Sequence, residues 1–495
     1  MRQSNGFRCM VSTVAELIDT LSALRFSWSL VWLIHLGLAP FAMAHVLLTK
    51  RLPQASFGWL LVIAGVPLFG IIVYGIFGVN RIHRRAQRFN RGHARQHNAL
   101  TEQDDEALVQ ALPQAWQSMA RAGKKLSGLP LTGGNTVEHF HTGEQLFPVM
   151  MEALRNARQS IYIASYTFDL GGIGEEFVAL LVAAKERGVD VRVLVDCIGD
   201  RVISQSSVIT ALQQQGVPAL HFLPPTLWPP IVHLNLRNHR KILIVDKTQG
   251  FAGGINITQK NCRSTDHQPS NDDHFRFTGA VVNQLLAVFA EDWAFTAQKK
   301  NDITLMETPR QDGQTACRVI PDGPDHADDQ ILLLMTAAAS QARTSLTLFS
   351  PYFLPTEPLI GALRVAALRG VRVRVLIPSR SNYGVVDWAC RHYLPDLVQA
   401  GLEIYAIGEP FLHSKLFLVD EYYAMVGSTN IDPRSLHLNF ELMVEIYDAD
   451  VVKRLQQHAD EQFAKAERIT LEQLRAQPLA LRLRNAIAGL AQPYL

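Results

Sequence analysis

Two stretches of the sequence carry the same set of reactive side chains at the same spacing. They read NHRKILIVDKTQGFAGGIN, residues 238–256, and LHSKLFLVDEYYAMVGSTN, residues 412–430. Both fit His-x-Lys-x4-Asp-x6-Gly-(Gly/Ser)-x-Asn. The first copy supplies His239, Lys241, Asp246, Gly253, Gly254 and Asn256, and the second supplies His413, Lys415, Asp420, Gly427, Ser428 and Asn430. A single His-x-Lys is typical of a solvated strand end, but two copies in register favour a functional site.

Each copy also has the pattern of a β-hairpin. Side chains two apart on a strand share a face, so His239 and Lys241 are predicted to point the same way. Asp246 has the opposite parity, and we expect it, like Asp420, to hold the turn by bonding turn amides. With turns centred near Thr248 and Tyr422, each asparagine would lie across from its own His-Lys pair. The glycines would let the returning strand approach a ligand closely.

The two hairpins together predict a binding site for a phosphodiester. If the copies meet about a two-fold axis, the site holds two imidazoles, two ammonium groups and two carboxamides. Lysines and amide donors suit an anion. They do not suit a metal cation, because the lysines would repel it.

Longer segments around the hairpins repeat as well. QSIYIASYTF (159–168) corresponds to TSLTLFSPYF (344–353), and RGVDVRVL (187–194) corresponds to RGVRVRVL (369–376). In each half a β-rich run leads into an amphipathic helix, an Arg-Gly-Val end and a second apolar strand, which is the pattern of a βαβ unit. We therefore predict an α/β fold of two tandem, pseudo-two-fold-related domains with the active site at their interface.

The amino-terminal part of the chain predicts a membrane anchor. Residues 26–49 and 52–80 contain no Lys, Arg, Asp or Glu, and each is long enough to span a bilayer as a helix. A re-entrant hairpin is the alternative, because Pro40 and Pro67 interrupt the two stretches. Residues 10–24 have the spacing of a short interfacial helix.

Basic residues at the flanks of the anchor predict its orientation. They are Arg81, Arg84, Arg85, Arg88, Arg91 and Arg95 after the second stretch, Arg2, Arg8 and Arg25 before the first, and only Lys50 and Arg51 between them. By the positive-inside rule both ends face the cytoplasm, and the arginine run should also contact anionic head groups.

The overall composition excludes several other classes of protein. A net charge of +2 over 495 residues gives no general attraction to nucleic acid. The five cysteines form no CxxC pair, which argues against a disulfide framework or a thiolate zinc site. The length predicts two or three domains. We divide the chain into five segments: 1–25 (amino-terminal segment), 26–80 (two-helix membrane anchor), 81–130 (basic and polar linker), 131–310 and 311–495 (the two α/β domains).

These motifs resemble the phospholipase D superfamily, whose members carry paired HxKxxxxD sequences. KRLPQASFGWLLVIAGVPLFGIIVYGIFG (50–78), VIPDGPD (319–325), SPYFLP (350–355) and HLNFELMVEIYD (437–448) are similar to its branch of bacterial cardiolipin synthases. The likeness then extends over nearly the whole chain.

The resemblance implies roles for individual residues. His239 would be the nucleophile and His413 the general acid and base, while Lys241, Lys415, Asn256 and Asn430 would hold the phosphate oxygens. Orienting carboxylates would be Glu441 for His239 and Asp272 for His413, with the adjacent Asp273 as an alternative to Asp272. Asp246 and Asp420 complete the catalytic motif. One departure is Asn382, which stands where the family commonly has an aspartate, so the choice of head group or acceptor can differ.

The implied reaction is the transfer of a phosphatidyl group between two phosphatidylglycerols through a phosphohistidine, with release of glycerol. It should need no metal and no other cofactor, and the chain lacks a GxxxxGK[ST] loop. The alternative is a membrane-bound phospholipase D that releases phosphatidic acid. A nuclease and a non-catalytic scaffold fit less well, because the chain has membrane stretches and two intact motifs. Expected partners are phosphatidylglycerol and anionic lipids, and the expected location is the bacterial inner membrane, multi-pass, with the catalytic domains in the cytoplasm.

Overall fold

The computed structural model describes residues 28–49, 53–78, 105–200, 207–224, 237–263, 268–307, 311–324 and 329–492. They fall into two compact units, one formed by the described residues before 79 and the other by those from 105 onward. The predicted interfacial helix at 10–24 and the basic residues that flank the two apolar stretches lie outside the described residues.

The amino-terminal unit begins with helix α1, Trp28–Thr49, which has 22 residues and is apolar. At 1.5 Å per residue it is about 33 Å long, against a hydrocarbon core of about 30 Å. Among the described residues it is the one helix that is long and apolar enough to cross a membrane.

The second apolar stretch is divided. Helix α2, Pro53–Gly65, and helix α3, Phe69–Val73, are separated at Val66–Leu68, and α3 continues as a π-helix over Tyr74–Gly78. The break has a local cause, because Pro67 lacks a backbone N–H and Leu68 has a positive φ of 59°. The predicted spanning helix over 52–80 is therefore not confirmed. The stretch still folds back on α1, since His45 Nδ1 and the Tyr74 hydroxyl are 2.6 Å apart.

The second unit is built on one mixed sheet, which has fifteen strands in the described residues. These are β1 Thr132–Phe140, β2 Ser160–Ser165, β3 Asp190–Asp196, β4 Ala219–Phe222, β5 Ile242–Val245, β6 Gln249–Gly253, β7 His274–Thr278, β8 Thr315–Asp322, β9 Ser345–Phe349, β10 Arg372–Pro378, β11 Glu403–Ile407, β12 Leu416–Val419, β13 Tyr423–Gly427, β14 Glu441–Tyr447 and β15 Glu467–Arg468.

Helices cover the sheet. They are α4 Glu106–Ala111, α5 Gln114–Ser127, α6 Gly143–Asn156, α7 Ile173–Glu186, α8 Val208–Gln214, α9 Val281–Ala297, α10 Gln330–Gln341, α11 Glu357–Leu368, α12 Gly384–Gln399, α13 Pro433–His437, α14 Ala449–Phe463, α15 Leu471–Arg475 and α16 Leu479–Leu490.

The strand order is a duplication. From the centre outward one half runs β1-β7-β6-β5-β2-β3-β4 and the other runs β8-β14-β13-β12-β9-β10-β11. β1 and β8 pair antiparallel in the middle and make the sheet continuous. The predicted pair of α/β domains is thereby confirmed, and the division near residue 310 stays a prediction.

The predicted βαβ units are present in both halves. β2 and β3 are parallel and flank α7, and β9 and β10 are parallel and flank α11. Gly188 (φ 87°) and Gly370 (φ 88°) follow these helices in the left-handed conformation that the Arg-Gly-Val signal predicts.

The two halves share a core with each other and with part of the predicted linker. One buried apolar cluster contains Phe275 and Leu285 of the first half and Val444 of the second. Helices α4 and α5 lie within the predicted linker 81–130, yet they pack on the second half. The Trp116 ring, for example, stacks on Tyr423 with centroids 5.1 Å apart.

Both motif hairpins turn one residue earlier than predicted. Val245 pairs with Gln249 and Val419 pairs with Tyr423, so the turns centre on residues 247 and 421. The earlier turn follows from left-handed backbone at its start, with φ of 50° at Asp246 and 52° at Asp420.

We had expected Asp246 and Asp420 to bond amides of their own turns. In the structure, both instead bond the start of a neighbouring strand. The Asp246 carboxylate accepts hydrogen bonds of 2.7–3.1 Å from the backbone amides of residues 158, 159 and 160, where β2 begins. Asp420 does the same at residues 343, 344 and 345, where β9 begins. Each motif aspartate therefore ties its hairpin to the adjacent strand of the sheet.

This tie predicts a loss of stability on substitution. Asp246→Ala leaves three backbone amides without their acceptor and should lower the free energy of unfolding by about 1–3 kcal/mol. Thermal or urea unfolding of the full chain in detergent measures the change. Asp246→Asn is the matched control, because it keeps one acceptor oxygen and should lose less. Equal stability of the alanine variant and the unsubstituted protein would contradict the assignment.

Candidate active site

The two hairpins meet at a cavity of about 300 Å³, and His239, Asn256, His413 and Asn430 all lie on its wall. The segments that carry the histidines precede β5 and β12, and each pairs with a segment of the opposite half. The His239 amide donates to the Phe440 carbonyl at 2.9 Å, and the His413 amide donates to the Asn271 carbonyl at 2.7 Å. These crossed contacts bring the two motif copies together.

Each histidine contacts a carboxylate from the other half. His239 Nδ1 lies 3.0 Å from the Glu441 carboxylate, and His413 Nδ1 lies 2.6 Å from Asp272 Oδ2. The two carboxylates occupy equivalent positions relative to their hairpins. Gly253 pairs with His274 in β7, and Asp272 lies two residues before that partner. Gly427 pairs with Met443 in β14, and Glu441 lies two residues before that partner. A carboxylate on Nδ1 selects the tautomer in which Nε2 is the basic nitrogen.

Burial sets the protonation of these groups. It lowers the pKa of His239 to about 4, although the Glu441 carboxylate opposes the change. Burial also lowers the pKa of His413, and the nearby Lys415 adds to the effect. Burial would raise the pKa of Glu441 and Asp272, but the neighbouring cationic and imidazole groups outweigh it and leave both below their usual values. At neutral pH the site therefore contains neutral imidazoles held by ionised carboxylates.

The two lysines lie behind the histidines and not on the cavity wall. The Lys241 ammonium donates to the His239 carbonyl at 2.7 Å. The Lys415 ammonium donates to the His413 carbonyl and lies 2.7 Å from His413 Nδ1. Both side chains are buried. Burial lowers their pKa, and the carboxylates Glu441 and Asp272 oppose that change. The two amino groups thus lie directly behind the histidines.

The asparagines reach the cavity wall although the turns are displaced from the predicted centre. Asn256 accepts a hydrogen bond from the Thr167 amide at 3.2 Å. Asn430 Oδ1 is buried without a hydrogen-bond partner. Besides the histidines, the carboxamides are therefore the polar groups of the motif that line the cavity.

The motif glycines make room for the neighbouring strand and not for a ligand, contrary to our expectation. A Cβ at Gly254 would overlap the Asp272 carboxylate, and one at Gly427 would overlap the Leu442 carbonyl. Ser428 takes the place of Gly254 in the second copy, and its hydroxyl donates to Glu441 at 2.5 Å. The small residues thus allow the orienting carboxylates to sit directly against the hairpins.

Asp272 and Asp273, which the sequence left as alternatives, separate clearly in the structure. Asp272 contacts His413, whereas the Asp273 carboxylate contacts His139 Nε2 at 2.6 Å and His141 Nδ1 at 3.2 Å. Adjacent side chains in extended backbone point to opposite faces, so only one of the two reaches the cavity.

The cavity wall also contains residues to which the sequence analysis gave no catalytic role. Tyr166 and Tyr352 follow the repeated strands β2 and β9, and the repeat SYTF/SPYF was the available signal for them. Asp432 is buried, and burial raises its pKa to about 6. Asn382, the departure noted in the sequence, also lies on the wall next to Tyr383. These side chains surround the histidines with groups that can contact a head group.

Comparison with known proteins agrees with this geometry. The family described as cardiolipin synthase, PLD-like domain, matches residues 150–293 and 335–463. Cardiolipin synthase A of Pseudomonas fluorescens (strain SBW25) is 32% identical over 464 residues, which cover 92% of this chain and 96% of that protein. Cardiolipin synthase of Geobacillus sp. (strain WCH70) is 30% identical, with 90% of each chain covered.

A solved structure gives the same architecture. Phosphatidylserine synthase of Haemophilus influenzae Rd KW20 superposes with a TM-score of 0.60 at 14% identity, and the match covers 76% of this chain and all of that one. At this identity the likeness concerns the fold. Together with the two motif copies and the full-length relatives, it shows that the chain belongs to the cardiolipin synthase branch of the phospholipase D superfamily.

Proposed function

We propose that the protein is a cardiolipin synthase, which transfers a phosphatidyl group from one phosphatidylglycerol to another and releases glycerol. The observation that carries the proposal is the pair of histidines on one cavity, each held by a carboxylate of the opposite half. The relatives that share nearly the whole length of the chain bear the same name.

The first half-reaction uses the neutral form of His239. Its Nε2 attacks phosphorus, the bond from phosphorus to the glycerol oxygen breaks, and His413 gives the departing oxygen a proton. Glu441 stabilises the positive charge that develops on the His239 ring. The products are a phosphatidyl-histidine, free glycerol and a neutral His413.

The second half-reaction reverses the roles of the two groups. His413 removes the proton from a hydroxyl of the second phosphatidylglycerol, the alkoxide attacks phosphorus, and the bond between phosphorus and nitrogen breaks. Cardiolipin leaves and His239 is restored. One phosphodiester replaces another, so the chemistry is nearly isoenergetic and needs no nucleotide.

The negative charge of the bound substrate raises the pKa of His413, so that this histidine can hold a proton and act as an acid. Burial and Lys415 lower the pKa of this histidine. A bound phosphodiester brings a negative charge next to the ring and raises that pKa, because an opposite charge favours the protonated form. Asn256 and Asn430 donate to the non-bridging oxygens, and the ammonium groups of Lys241 and Lys415 balance their charge.

Location at a membrane favours an alcohol over water as acceptor. Helix α1 is long and apolar enough to cross a bilayer, and it would hold the catalytic unit where phosphatidylglycerol is abundant. We place the protein in the bacterial inner membrane, with a two-helix anchor and the catalytic unit in the cytoplasm. Hydrolysis to phosphatidic acid is the competing outcome if water reaches the phosphohistidine first.

The reaction can be tested with purified protein and phosphatidylglycerol vesicles, without nucleotide or added metal. We expect cardiolipin and glycerol in equal amounts, together with a covalent phosphatidyl-enzyme in samples quenched with denaturing detergent at mildly alkaline pH, because acid cleaves the bond between phosphorus and nitrogen. His239→Ala is the control and should abolish both turnover and the covalent adduct. Phosphatidic acid as the sole lipid product would contradict the synthase function, and turnover by the alanine variant would contradict the nucleophile.

The pH dependence of kcat/KM reports the pKa values of the catalytic groups in the free enzyme. His239 must be neutral, so the acid limb should lie near pH 4 and not near 6.5, because burial lowers its pKa to about 4. His413 must be protonated, so the alkaline limb should begin below 6.5, since its pKa is lowered too. The alkaline limb of kcat should lie at higher pH, because bound phosphate raises the pKa of His413. Initial rates measured between pH 3.5 and 8 give the position of both limbs. An acid limb of kcat/KM near pH 6.5 would contradict the assignment of His239 as the buried, neutral nucleophile.

Glu441→Gln separates orientation from stability. The variant cannot fix the His239 tautomer, and we expect kcat to fall by about 10²-fold or more. The carboxylate also raises the pKa of His239, so its removal should move the acid limb of kcat/KM to lower pH. A purely structural role would reduce the amount of folded protein and leave the limb unchanged.

A further inference from the structure

A second group of reactive side chains lies outside the active-site cavity. It comprises His139, His141, Asp273 and His458, whose ligand atoms all lie within 4.8 Å of one another. None of the four belongs to the wall of the cavity that contains the motif histidines. We refer to these residues as the three-histidine cluster.

The cluster joins the two halves of the catalytic unit. His139 lies in β1, His141 directly follows that strand, and Asp273 directly precedes β7, all in the first half. His458 lies in α14 of the second half. The ring centroids of His141 and His458 are 4.2 Å apart across this boundary.

Three ring nitrogens converge on a single carboxylate oxygen. Asp273 Oδ1 lies 2.6 Å from His139 Nε2, 3.2 Å from His141 Nδ1 and 3.4 Å from His458 Nε2. The other oxygen, Oδ2, is buried without a hydrogen-bond partner, and His458 Nε2 also has no partner of hydrogen-bond geometry. Hydrogen bonding among these groups therefore leaves buried polar atoms unsatisfied, which is costly.

The donor set and its dimensions fit a divalent transition metal. Zinc takes imidazole nitrogen at about 2.0–2.1 Å and carboxylate oxygen at about 2.0–2.2 Å in a tetrahedron, so its ligand atoms are about 3.3 Å apart. Two of the nitrogen–oxygen distances in the cluster, those from Asp273 Oδ1 to His141 and to His458, lie close to that value. The distance to His139 Nε2 is 2.6 Å, so this pair would have to move apart when an ion binds. A cation bound by Asp273 Oδ1 and the three ring nitrogens would give the unpartnered His458 Nε2 a ligand to bind and would balance the charge of the buried Asp273.

The surroundings allow the histidines to adopt the tautomers that a metal requires. If His141 binds through Nδ1, its Nε2 carries the proton and faces the Gln462 amide, which lies 3.4 Å away. A half-turn of that amide presents its oxygen as acceptor. The Asn271 amide, which donates to the same oxygen at 2.8 Å, would turn with it, and its unpartnered Oδ1 would then accept from the Gln462 nitrogen. Metal-binding histidines commonly donate their second N–H in this way. The His139 ring is also fixed, because it stacks on Phe275 with centroids 5.0 Å apart.

We propose that His139, His141, His458 and Asp273 bind one zinc ion, which pins helix α14 of the second half to β1 and β7 of the first. The four protein ligands complete the tetrahedron and leave no open position, so the role of the ion is structural. Because Asp273 adjoins Asp272 in the chain, the ion also holds the backbone of the carboxylate that contacts His413.

The experiment uses the full chain in detergent, purified without a histidine tag and stripped of metal. Zinc alone is titrated in equilibrium dialysis, and bound zinc is measured by mass spectrometry. We expect one zinc ion per chain, and less than about a tenth of that for His458→Ala and for Asp273→Asn. Cobalt(II) in place of zinc should give the visible absorption of a tetrahedral site.

The matched control is His221→Gln. His221 Nε2 also contacts a buried carboxylate, Asp200 Oδ2, at 2.6 Å. Among the described residues, however, His221 does not belong to a group of side chains that could hold a metal ion. This variant should keep one zinc ion. Zinc should also raise the melting temperature of the unsubstituted protein and of His221→Gln, and not that of the cluster variants, because a ligand stabilises only the state that binds it.

Two results would overturn the proposal. One is the absence of zinc binding by the unsubstituted chain at micromolar zinc. The other is unchanged binding by the cluster variants. If His458→Ala fails to fold, the milder His141→Gln provides the test, since the His141 side chain is 23% exposed. The readouts are independent of lipid turnover, so they stand whether or not the proposed reaction is correct.

Discussion

The orientation of each motif histidine depends on a carboxylate that belongs to the other half of the chain. Glu441 contacts His239 and Asp272 contacts His413, and backbone hydrogen bonds join the same segments across the boundary. Neither half contains a complete site. The continuous sheet, in which β1 pairs with β8, and the core shared between the halves are therefore requirements of the chemistry as well as of the fold.

Burying two carboxylates and two lysines in one place is expensive unless each charge is compensated. Here the carboxylates face the lysines and accept hydrogen bonds from the histidines, and Ser428 adds a further donor to Glu441. The same burial lowers the pKa of His239 and keeps its ring neutral. Desolvation thus keeps the proposed nucleophile His239 in its reactive neutral form. The proposed acid, His413, would hold its proton only when a substrate anion raises its pKa.

Local patterns in the sequence predicted a large part of this arrangement. The paired motifs and the repeated Arg-Gly-Val segments indicated a duplicated α/β fold, and strand parity set Asp246 apart from His239. What the sequence could not predict depends on neighbours distant in the chain. The partner of Asp246 is the start of β2, which is adjacent only in the folded sheet.

Two further differences between expectation and structure, and one choice that the sequence left open, have similarly specific causes. The hairpins turn early because Asp246 and Asp420 adopt left-handed backbone. The second apolar stretch is interrupted at Pro67, whose missing N–H outweighs the helix-forming residues around it. The choice between Asp272 and Asp273 depends on which face each side chain takes, and the sequence of two adjacent aspartates does not contain that information.

The long separation of His239 from its carboxylate has a consequence for biosynthesis. Glu441 follows His239 by 202 residues, so a ribosome must complete most of the second half before the first histidine acquires its support. A chain that terminates before Glu441 contains the first motif histidine without the carboxylate that orients it. Crossed support of this kind makes a complete site depend on the synthesis of most of both halves.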